Sequence, residues 1–149
     1  MINALYRGKR ADNGEWVYGY YVKDVRSYGL VSNPSYREEH QIWYNKDNKQ
    51  VYAEVIPETV GQWVTLSDRK GKKIFDGDIL KYLLAKTVSG KVLCVKFCLK
   101  WSEDYHSYQC FAHGDKGYSY PDITMFDFGY NKDRFEVIGN IYDNSDLLE

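Results

Sequence analysis

The longest alternation of apolar and polar residues in the chain runs from Lys91 to Trp101. A period of two over this many residues is typical of a half-buried antiparallel strand, because successive side chains point to opposite faces. The predicted core-facing residues are Leu93, Val95, Phe97, Leu99 and Trp101. The intervening residues are predicted to lie on the more hydrated face, namely Cys94, Lys96, Cys98 and Lys100.

Turn signals divide the first part of the chain into β-rich segments. Asp12-Asn13-Gly14 lies within residues 5–23 and predicts a hairpin there. Gly19, inside the second strand of that hairpin, indicates a bulge or a close neighbour. Residues 28–32 predict a third strand.

Residues 33–50 predict a long hairpin arm or a loop, which ends in a turn at residues 45–49 and leads into a strand at Val51–Val55. Trp43 and Tyr44 form either an exposed aromatic contact or part of the hairpin packing. We favour packing of the tryptophan across the hairpin, since cross-strand aromatic pairs stabilise sheets.

The segment Ile56–Trp63 is predicted to be the boundary between two halves. Pro57 removes a donor from any β-ladder and Gly61 follows closely, so a connection or short turn is favoured over a continuous strand. We therefore predict a mainly β protein, with an antiparallel hairpin or sheet extension over residues 1–62 and a compact small β-barrel over residues 63–149.

The second half opens with two tight turns. Asp68–Gly71 is a polar turn whose glycine can adopt a positive φ, and Asp76-Gly77-Asp78 bends the chain again before a strand from Ile79. Residues 105–111 predict a further strand. Residues 134–142 predict the closing strand, in which Gly139 marks a bulge or kink.

Two segments near the C-terminus lack a clear period. Residues 112–133 are rich in glycine, aspartate and aromatic residues, and predict a loop that is either packed down or part of an interface. The acidic tail from Asp143 to Glu149 predicts a short helical turn or a frayed end.

Composition narrows the classes of function. The 149 residues can form a core without a metal, disulfide or cofactor. With 20 basic and 21 acidic residues, no net field favours nucleic acid, membranes or acidic substrates. The 15 Tyr, 6 Phe and 4 Trp favour pleated sheet, and several tyrosines must reach the surface.

The location expected is the cytoplasm, without membrane association, since no apolar run has the length of a signal or a membrane span. The odd count of three cysteines fits reduced thiols. Cys94 and Cys98, if they share a strand, lie about 13 Å apart, too far to form a disulfide or ligate one metal. Together with His106 and His113 the three cysteines are numerous enough for a zinc site, but this is disfavoured because no close cysteine pair anchors it.

Asp76 and Asp78 are the carboxylate pair that could share a proton or bind a hard cation. The favoured interpretation is an Asp-Gly turn in which a carboxylate accepts hydrogen bonds from nearby backbone N–H groups. His106 is interpreted as a surface histidine on an ordinary strand rather than a general base, because no partner motif accompanies it.

Two basic segments beside aromatic residues are candidates for nucleic-acid binding. The first is Arg7, Lys9 and Arg10 beside Tyr6; the second is the turn that carries Arg69, Lys70, Lys72 and Lys73 near Trp63. The alternative is that these charges keep turns and edge strands soluble, and we favour it.

Three runs closely resemble the YopX family of phage and prophage proteins. They are Val55–Trp63, Leu66–Ile79 with its Ser67-Asp68, Gly71 and Ile74-Phe75-Asp76-Gly77-Asp78, and the ending Phe135-Glu136-Val137-Ile138-Gly139-Asn140-Ile141-Tyr142-Asp143-Asn144. The resemblance covers the N-terminal hairpin, the central stretch and the last strand. It implies a mostly β protein with an SH3-like barrel that assembles into homo-oligomers in a bacterial host, and it supplies no catalytic residues.

The sequence is compatible with three classes of function. The first is a non-enzymatic, self-associating binding or assembly protein whose partner is itself, or a phage or host protein; this is the hypothesis that we favour. The alternative is a nucleic-acid-binding small β-barrel. An enzyme that uses Asp76, Asp78 or His106 is the least favoured.

Overall fold

The computed structural model describes residues 4–112, 118–119 and 132–149. The chain divides into two compact units, Met1–Gln62 and Trp63–Glu149. The fold is mainly β and forms two antiparallel sheets. Among the described residues neither sheet closes on itself, so the SH3-like barrel is not confirmed and stays a prediction.

The first unit is an antiparallel sheet with strand order β4-β3-β2-β1. Gly61 and Gln62, at the start of β5, pair with β1. The 3-10 helix Pro57–Thr59 stands where a connection was predicted. The strands are β1 (Tyr6–Lys9), β2 (Trp16–Leu30), β3 (Asn33–Lys46), β4 (Lys49–Glu54) and β5 (Gly61–Ser67).

The hairpin predicted over residues 5–23 is confirmed as the antiparallel pair β1 and β2. Gly19 does have a close neighbour, since a Cβ there would lie 2.0 Å from the carbonyl oxygen of Trp43. The separate strand predicted at residues 28–32 is wrong. β2 continues unbroken to Leu30, because its pairing with β3 extends from Tyr20 opposite Trp43 to Leu30 opposite Asn33.

Residues 33–50 therefore belong to a long hairpin, with β3 as one of its strands, rather than to a loop. The turn that ends β3 consists of Asp47 and Asn48, with φ of 51° and 61°. Two residues of positive φ between paired strands are typical of the turn whose twist matches a hairpin, and Asp and Asn tolerate that conformation. The core of this unit is small and consists of Val17, Ile42, Ala53 and Val55.

In the second unit the later part of β5 pairs with β6, and five strands form a sheet of order β10-β9-β8-β7-β11. The strands are β6 (Lys73–Phe75), β7 (Asp78–Lys86), β8 (Val92–Ser102), β9 (Ser107–Ala112), β10 (Tyr118–Ser119) and β11 (Phe135–Asn140), and the 3-10 helices are Lys132–Arg134 and Ser145–Leu148. The buried core consists of Val64, Ile74, Leu80, Phe97, Leu99, Cys110, Phe135 and Val137.

The alternation from Lys91 to Trp101 is confirmed as strand β8, but its faces differ in part from the prediction. Phe97 and Leu99 are buried, whereas Leu93 and Trp101, near the strand ends, are 44% and 43% exposed. The hydrated position predicted for Cys98 is wrong, since it is 3% exposed. Both faces of the strand centre are covered, and the C-terminal 3-10 helix contacts β8.

The closing strand and the tail follow the prediction. β11 pairs with β7 and its register shifts between Val137 and Gly139, so the predicted bulge is confirmed. The tail forms the 3-10 helix Ser145–Leu148, as the helical-turn alternative requires. Most of the aromatic-rich segment 112–133 lies outside the described residues. Within the described part of the chain, no helix is long and apolar enough to cross a membrane.

Candidate functional site

Asp68 organises the basic turn that was predicted as a nucleic-acid candidate. One carboxylate oxygen, Oδ1, accepts hydrogen bonds from the backbone N–H groups of Lys70 and Lys72 at 2.8 and 2.9 Å. The other, Oδ2, accepts from the N–H of Val137 in β11 at 3.0 Å. Asp68 is 5% exposed. The turn is thus fastened to β11, and its cations are held beside that strand.

Glu136 of β11 neutralises part of this turn. Arg69 Nη2 and Lys70 Nζ each lie 2.5 Å from a different carboxylate oxygen of Glu136. The hydrogen bond from Lys70 lowers the pKa of Glu136 below its ordinary value, and Arg69 adds to this lowering, against partial desolvation, which raises it. Two of the four predicted cations therefore share one carboxylate, and fewer charges remain for a phosphate backbone.

Trp63 and Lys73 form the other part of the predicted patch. The indole N–H of Trp63 donates to the carbonyl of Leu66 at 2.8 Å, and Lys73 Nζ lies 5.3 Å from the ring centroid. This cation–π geometry occupies one face of the ring, which a base would otherwise stack upon. Lys72 has no ion pair among the described residues. The nucleic-acid hypothesis for this turn stays a prediction.

Two of the three cations of the N-terminal candidate patch lie against the same indole ring. Arg7 is 5% exposed, with its guanidinium carbon 4.7 Å from the Trp16 ring centroid. Arg10 pairs with Asp12 at 2.6 Å. Lys9 lies 5.7 Å from the Trp16 ring centroid. Each of these cations thus has a partner within the first unit, and the nucleic-acid hypothesis for this segment stays a prediction.

The candidate catalytic residues have different surroundings. Asp78 is 1% exposed, and its Oδ2 accepts a hydrogen bond from the N–H of Phe75 at 2.8 Å. Asp76 Oδ1 accepts from the N–H of Trp101 at 3.4 Å. Both carboxylates thus serve backbone groups, which supports the turn interpretation. His106 lies in the turn before β9 with φ of 47°, not on a strand as predicted.

None of the three cysteines, all of which are among the described residues, forms a disulfide. Cys94 is exposed, and Cys98 and Cys110 are buried. Among the residues that the structure describes, no group of three His, Cys, Asp or Glu side chains could hold a metal ion. His113, which the zinc alternative required, lies outside those residues.

The most exposed surface of the first unit is the outer part of the β2–β3 hairpin, which we call the arm and define as residues 25–38. Every residue of the arm is exposed. The large apolar side chains among them are Val25, Tyr28, Leu30, Val31 and Tyr36, with exposures from 55% to 101%. β1 pairs only with Trp16–Gly19 of β2, and β4 only with Gln41–Lys46 of β3, so no described strand flanks the arm.

An aromatic pair supports the base of this hairpin. Trp43 and Tyr52 are opposite each other on β3 and β4, with ring centroids 4.9 Å apart. The indole N–H of Trp43 donates to Gln41, which is 2% exposed and in turn donates to Glu39. Packing of Trp43 across the hairpin is therefore confirmed, and its ring position is fixed.

Sequence reasoning missed two features of these surfaces. Glu136 stands in the closing strand, and only the pairing of the basic turn with β11, which spans more than sixty residues of sequence, reveals it as a counter-ion. The exposure of the arm was also missed, although the charged residues Arg37-Glu38-Glu39 and the tip residues Asn33-Pro34-Ser35 in an aromatic-rich hairpin could have indicated it.

The residues that carry the family resemblance have structural roles. Asn140 Oδ1 accepts hydrogen bonds from the N–H groups of Tyr142 and Asp143 at 2.9 and 3.0 Å. A Cβ at Gly139 would lie 2.6 Å from Asn144 Oδ1. Thr59 Oγ1 accepts from the N–H of Lys9 at 2.9 Å. These motif residues therefore build turns and close contacts.

No curated protein matches the chain. A solved structure that resembles it is the crystal structure of protein EF1440 from Enterococcus faecalis, which is 20% identical over 98% of each chain with a TM-score of 0.47. The family model described as "YopX protein" matches residues 5–149. Because this match spans almost the entire sequence, the chain belongs to the YopX family.

Proposed function

We propose that this chain is a phage- or prophage-derived, non-enzymatic binding protein that acts in the bacterial cytoplasm and self-associates through the arm, residues 25–38. The observation that carries the proposal is that the whole arm is exposed while it bears Val25, Tyr28, Leu30, Val31 and Tyr36. Family membership supports the phage origin.

A bare arm of this kind is physically unfavourable in water. An isolated two-stranded ribbon is marginally stable, because neither face buries apolar area. From Lys23 to Leu30 the ribbon extends roughly 25 Å at about 3.3 Å per residue. Its outer edges also offer unpaired N–H and C=O groups, which template pairing with another strand. Covering the arm would therefore stabilise the protein.

The charges around the arm favour a second copy as the occupant. Three cations, Lys23, Arg26 and Arg37, stand with three carboxylates, Asp24, Glu38 and Glu39, so the net charge of this set is zero. The cations form ion pairs within the hairpin, Lys23 with Glu38 at 2.9 Å and Arg26 with Asp24 at 2.9 Å. A two-fold interface places the same surface of two copies together. A surface with equal numbers of positive and negative charges can do so without net electrostatic repulsion.

These ion pairs also argue against nucleic acid as the occupant of the arm. Arg37 binds Glu54 at 2.8 Å, and Arg26 lies 3.5 Å from Glu39 as well as beside Asp24. Protein cations that bind a phosphate backbone release the counterions condensed on the nucleic acid. Cations already neutralised by neighbouring carboxylates contribute little to that release. Protein is the partner that this surface fits best.

Light scattering coupled to size exclusion tests the proposal. We expect the wild-type protein to elute as a discrete homo-oligomer. The double substitution Tyr28→Ser and Tyr36→Ser removes one exposed ring from each face of the arm, and should weaken association by about tenfold or more, since aromatic anchors dominate interface energies.

Tyr105→Ser is the matched control, because Tyr105 is 70% exposed in a turn of the second unit. It should leave the oligomer unchanged. A wild-type protein that is monomeric at all concentrations would overturn self-association, and would point instead to a phage or host protein on the arm.

A further inference from the structure

A groove in the second unit has the chemistry of a binding site that is independent of the arm. It encloses about 420 Å³. Its described lining has four cations and four apolar residues: Arg69, Lys81, Lys86 and Arg134, with Leu83, Leu84, Ala85 and Val92. This volume is within the range of ligand sites, which is roughly 300–1,000 Å³.

The cations of the groove are only partly neutralised. Arg69 shares Glu136 with Lys70, and Glu136 also stands opposite Lys81 in the pairing of β11 with β7. Lys81, Lys86 and Arg134 have no ion pair within the described part of the chain. The groove therefore carries an excess of positive charge although the protein as a whole has a net charge of −1.

A strand edge lies along this groove. β11 pairs with β7 only as far as Phe135 opposite Tyr82, while β7 continues to Lys86. On the other side, Leu83, Ala85 and Lys86 remain paired with β8. In the part of the chain that is described, residues 83–86 thus have a strand neighbour on one side only, and the 3-10 helix Lys132–Arg134 contacts β7. An extended peptide can add to such an edge through main-chain hydrogen bonds.

We propose that this groove binds an acidic peptide segment in extended conformation, added along residues 83–86 of β7. Lys81 and Lys86 lie on the same face of the β7–β8 pair as Leu83 and Val92, and the carboxylates on one side of the peptide face these lysines and Arg134. The lining favours peptide over single-stranded nucleic acid, because the described lining residues include no aromatic ring on which a base would stack. Alternate side chains of a strand point to opposite sides, so acidic residues at every second position of the peptide all point toward these lysines.

Fluorescence anisotropy with a labelled peptide of alternating glutamate and valine tests this at low salt. Two further probes have the same length: a peptide with glutamine in place of glutamate, and oligothymidine. We expect the glutamate peptide to bind, the glutamine peptide to bind at least about tenfold more weakly, and added salt to weaken binding. The double substitution Lys86→Glu and Arg134→Glu should weaken it by about tenfold or more.

The matched control reverses two lysines of the first unit, Lys46→Glu and Lys49→Glu, which flank the β3–β4 turn. It should leave the affinity within about twofold. The proposal is overturned if the glutamate peptide does not bind, if the control weakens binding as much as the groove variant, or if oligothymidine binds and the peptide does not. Elution volumes of the same variants are measured in parallel, since the groove and the arm can fail separately.

Discussion

Asp68 shows how much of the polar chemistry in this protein serves the backbone. Its carboxylate accepts hydrogen bonds from three backbone N–H groups and is 5% exposed. Loss of this acceptor leaves the buried N–H of Val137 unsatisfied, which costs about 1–3 kcal/mol, and removes two part-buried hydrogen bonds of the turn, at about 0.5–1.5 kcal/mol each. Asp68→Ala should therefore lower the free energy of unfolding by about 3 kcal/mol.

Asp68→Asn should cost about half as much, because an amide keeps one of the two oxygens and cannot serve both the turn and Val137. Urea denaturation measures both values. Asp104→Ala, at an exposed turn acid, is the control and should change stability by less than about 0.5 kcal/mol. Equal effects of the alanine and asparagine variants would contradict the role assigned to the two oxygens.

Glu136 makes stability depend on pH in a stated direction. Lys70 and Arg69 lower its pKa in the folded state. A carboxyl group whose pKa is lowered by folding stabilises the folded state at pH values above its pKa in the unfolded chain, which is about 4.3. This stabilisation is lost as the pH falls through the pKa of the folded state. Between about pH 5 and pH 3, Glu136→Gln should therefore lose less stability than the wild-type protein. Urea midpoints across that range measure it, and Glu58→Gln, in the 3-10 helix Pro57–Thr59, should behave as the wild type.

The same substitution tests the nucleic-acid hypothesis for the basic turn. Glu136→Gln releases Arg69 and Lys70 from their shared carboxylate. If this turn contacts phosphates, affinity for a short single strand should rise, and binding should weaken as salt is added. An unchanged affinity for the strand would remove Arg69 and Lys70 from that hypothesis.

Among the strands, Gly19 permits the close approach of β3 to β2. A Cβ at this position would lie 2.0 Å from the Trp43 carbonyl oxygen and 2.8 Å from its carbon. The strands would have to separate, since real Cβ atoms do not approach so closely. Gly19→Ala should thus lower the free energy of unfolding by at least about 2 kcal/mol, in the range of overpacking effects.

A second glycine gives a matched control for Gly19. Gly14 has φ of 73°, and a Cβ there would meet no described atom within 4 Å. Asparagine tolerates this conformation, so Gly14→Asn should change stability by less than about 0.5 kcal/mol. Thermal or urea unfolding compares the two. Equal effects at Gly14 and Gly19 would show that backbone conformation, not the close approach of β3, sets the cost.

The elements that could be predicted from sequence are those with local signals. Alternation predicted β8, and turn residues predicted the hairpin of β1 and β2 and the bend at Gly77. Burial of Cys98 could not be predicted, because alternation along β8 does not show that both faces of the strand centre are covered. The false strand at residues 28–32 arose because Tyr28 and Leu30 match a strand pattern but continue β2.

For the whole molecule, the sequence predicted which residue types form the candidate surfaces. It did not predict which strands pair to bring them together. The basic turn was found from its lysines, but its counter-ion Glu136 and the groove lined by Lys81, Lys86 and Arg134 depend on how β7 and β11 pair. Family motifs at Asp68, Gly139 and Asn140 are explained by turns and close contacts. The two candidate surfaces, the arm and the groove, consist mostly of residues outside these motifs.

Concentration-dependent hydrogen exchange measures whether copies of the protein associate through the arm. Amides of residues 25–38 should exchange rapidly in dilute protein and become protected as concentration rises, because association pairs or covers the ribbon. Amides in the centre of β8 should show the same protection throughout. Rapid exchange of the arm at every concentration, alongside a stable oligomer, would place the interface elsewhere and contradict the account.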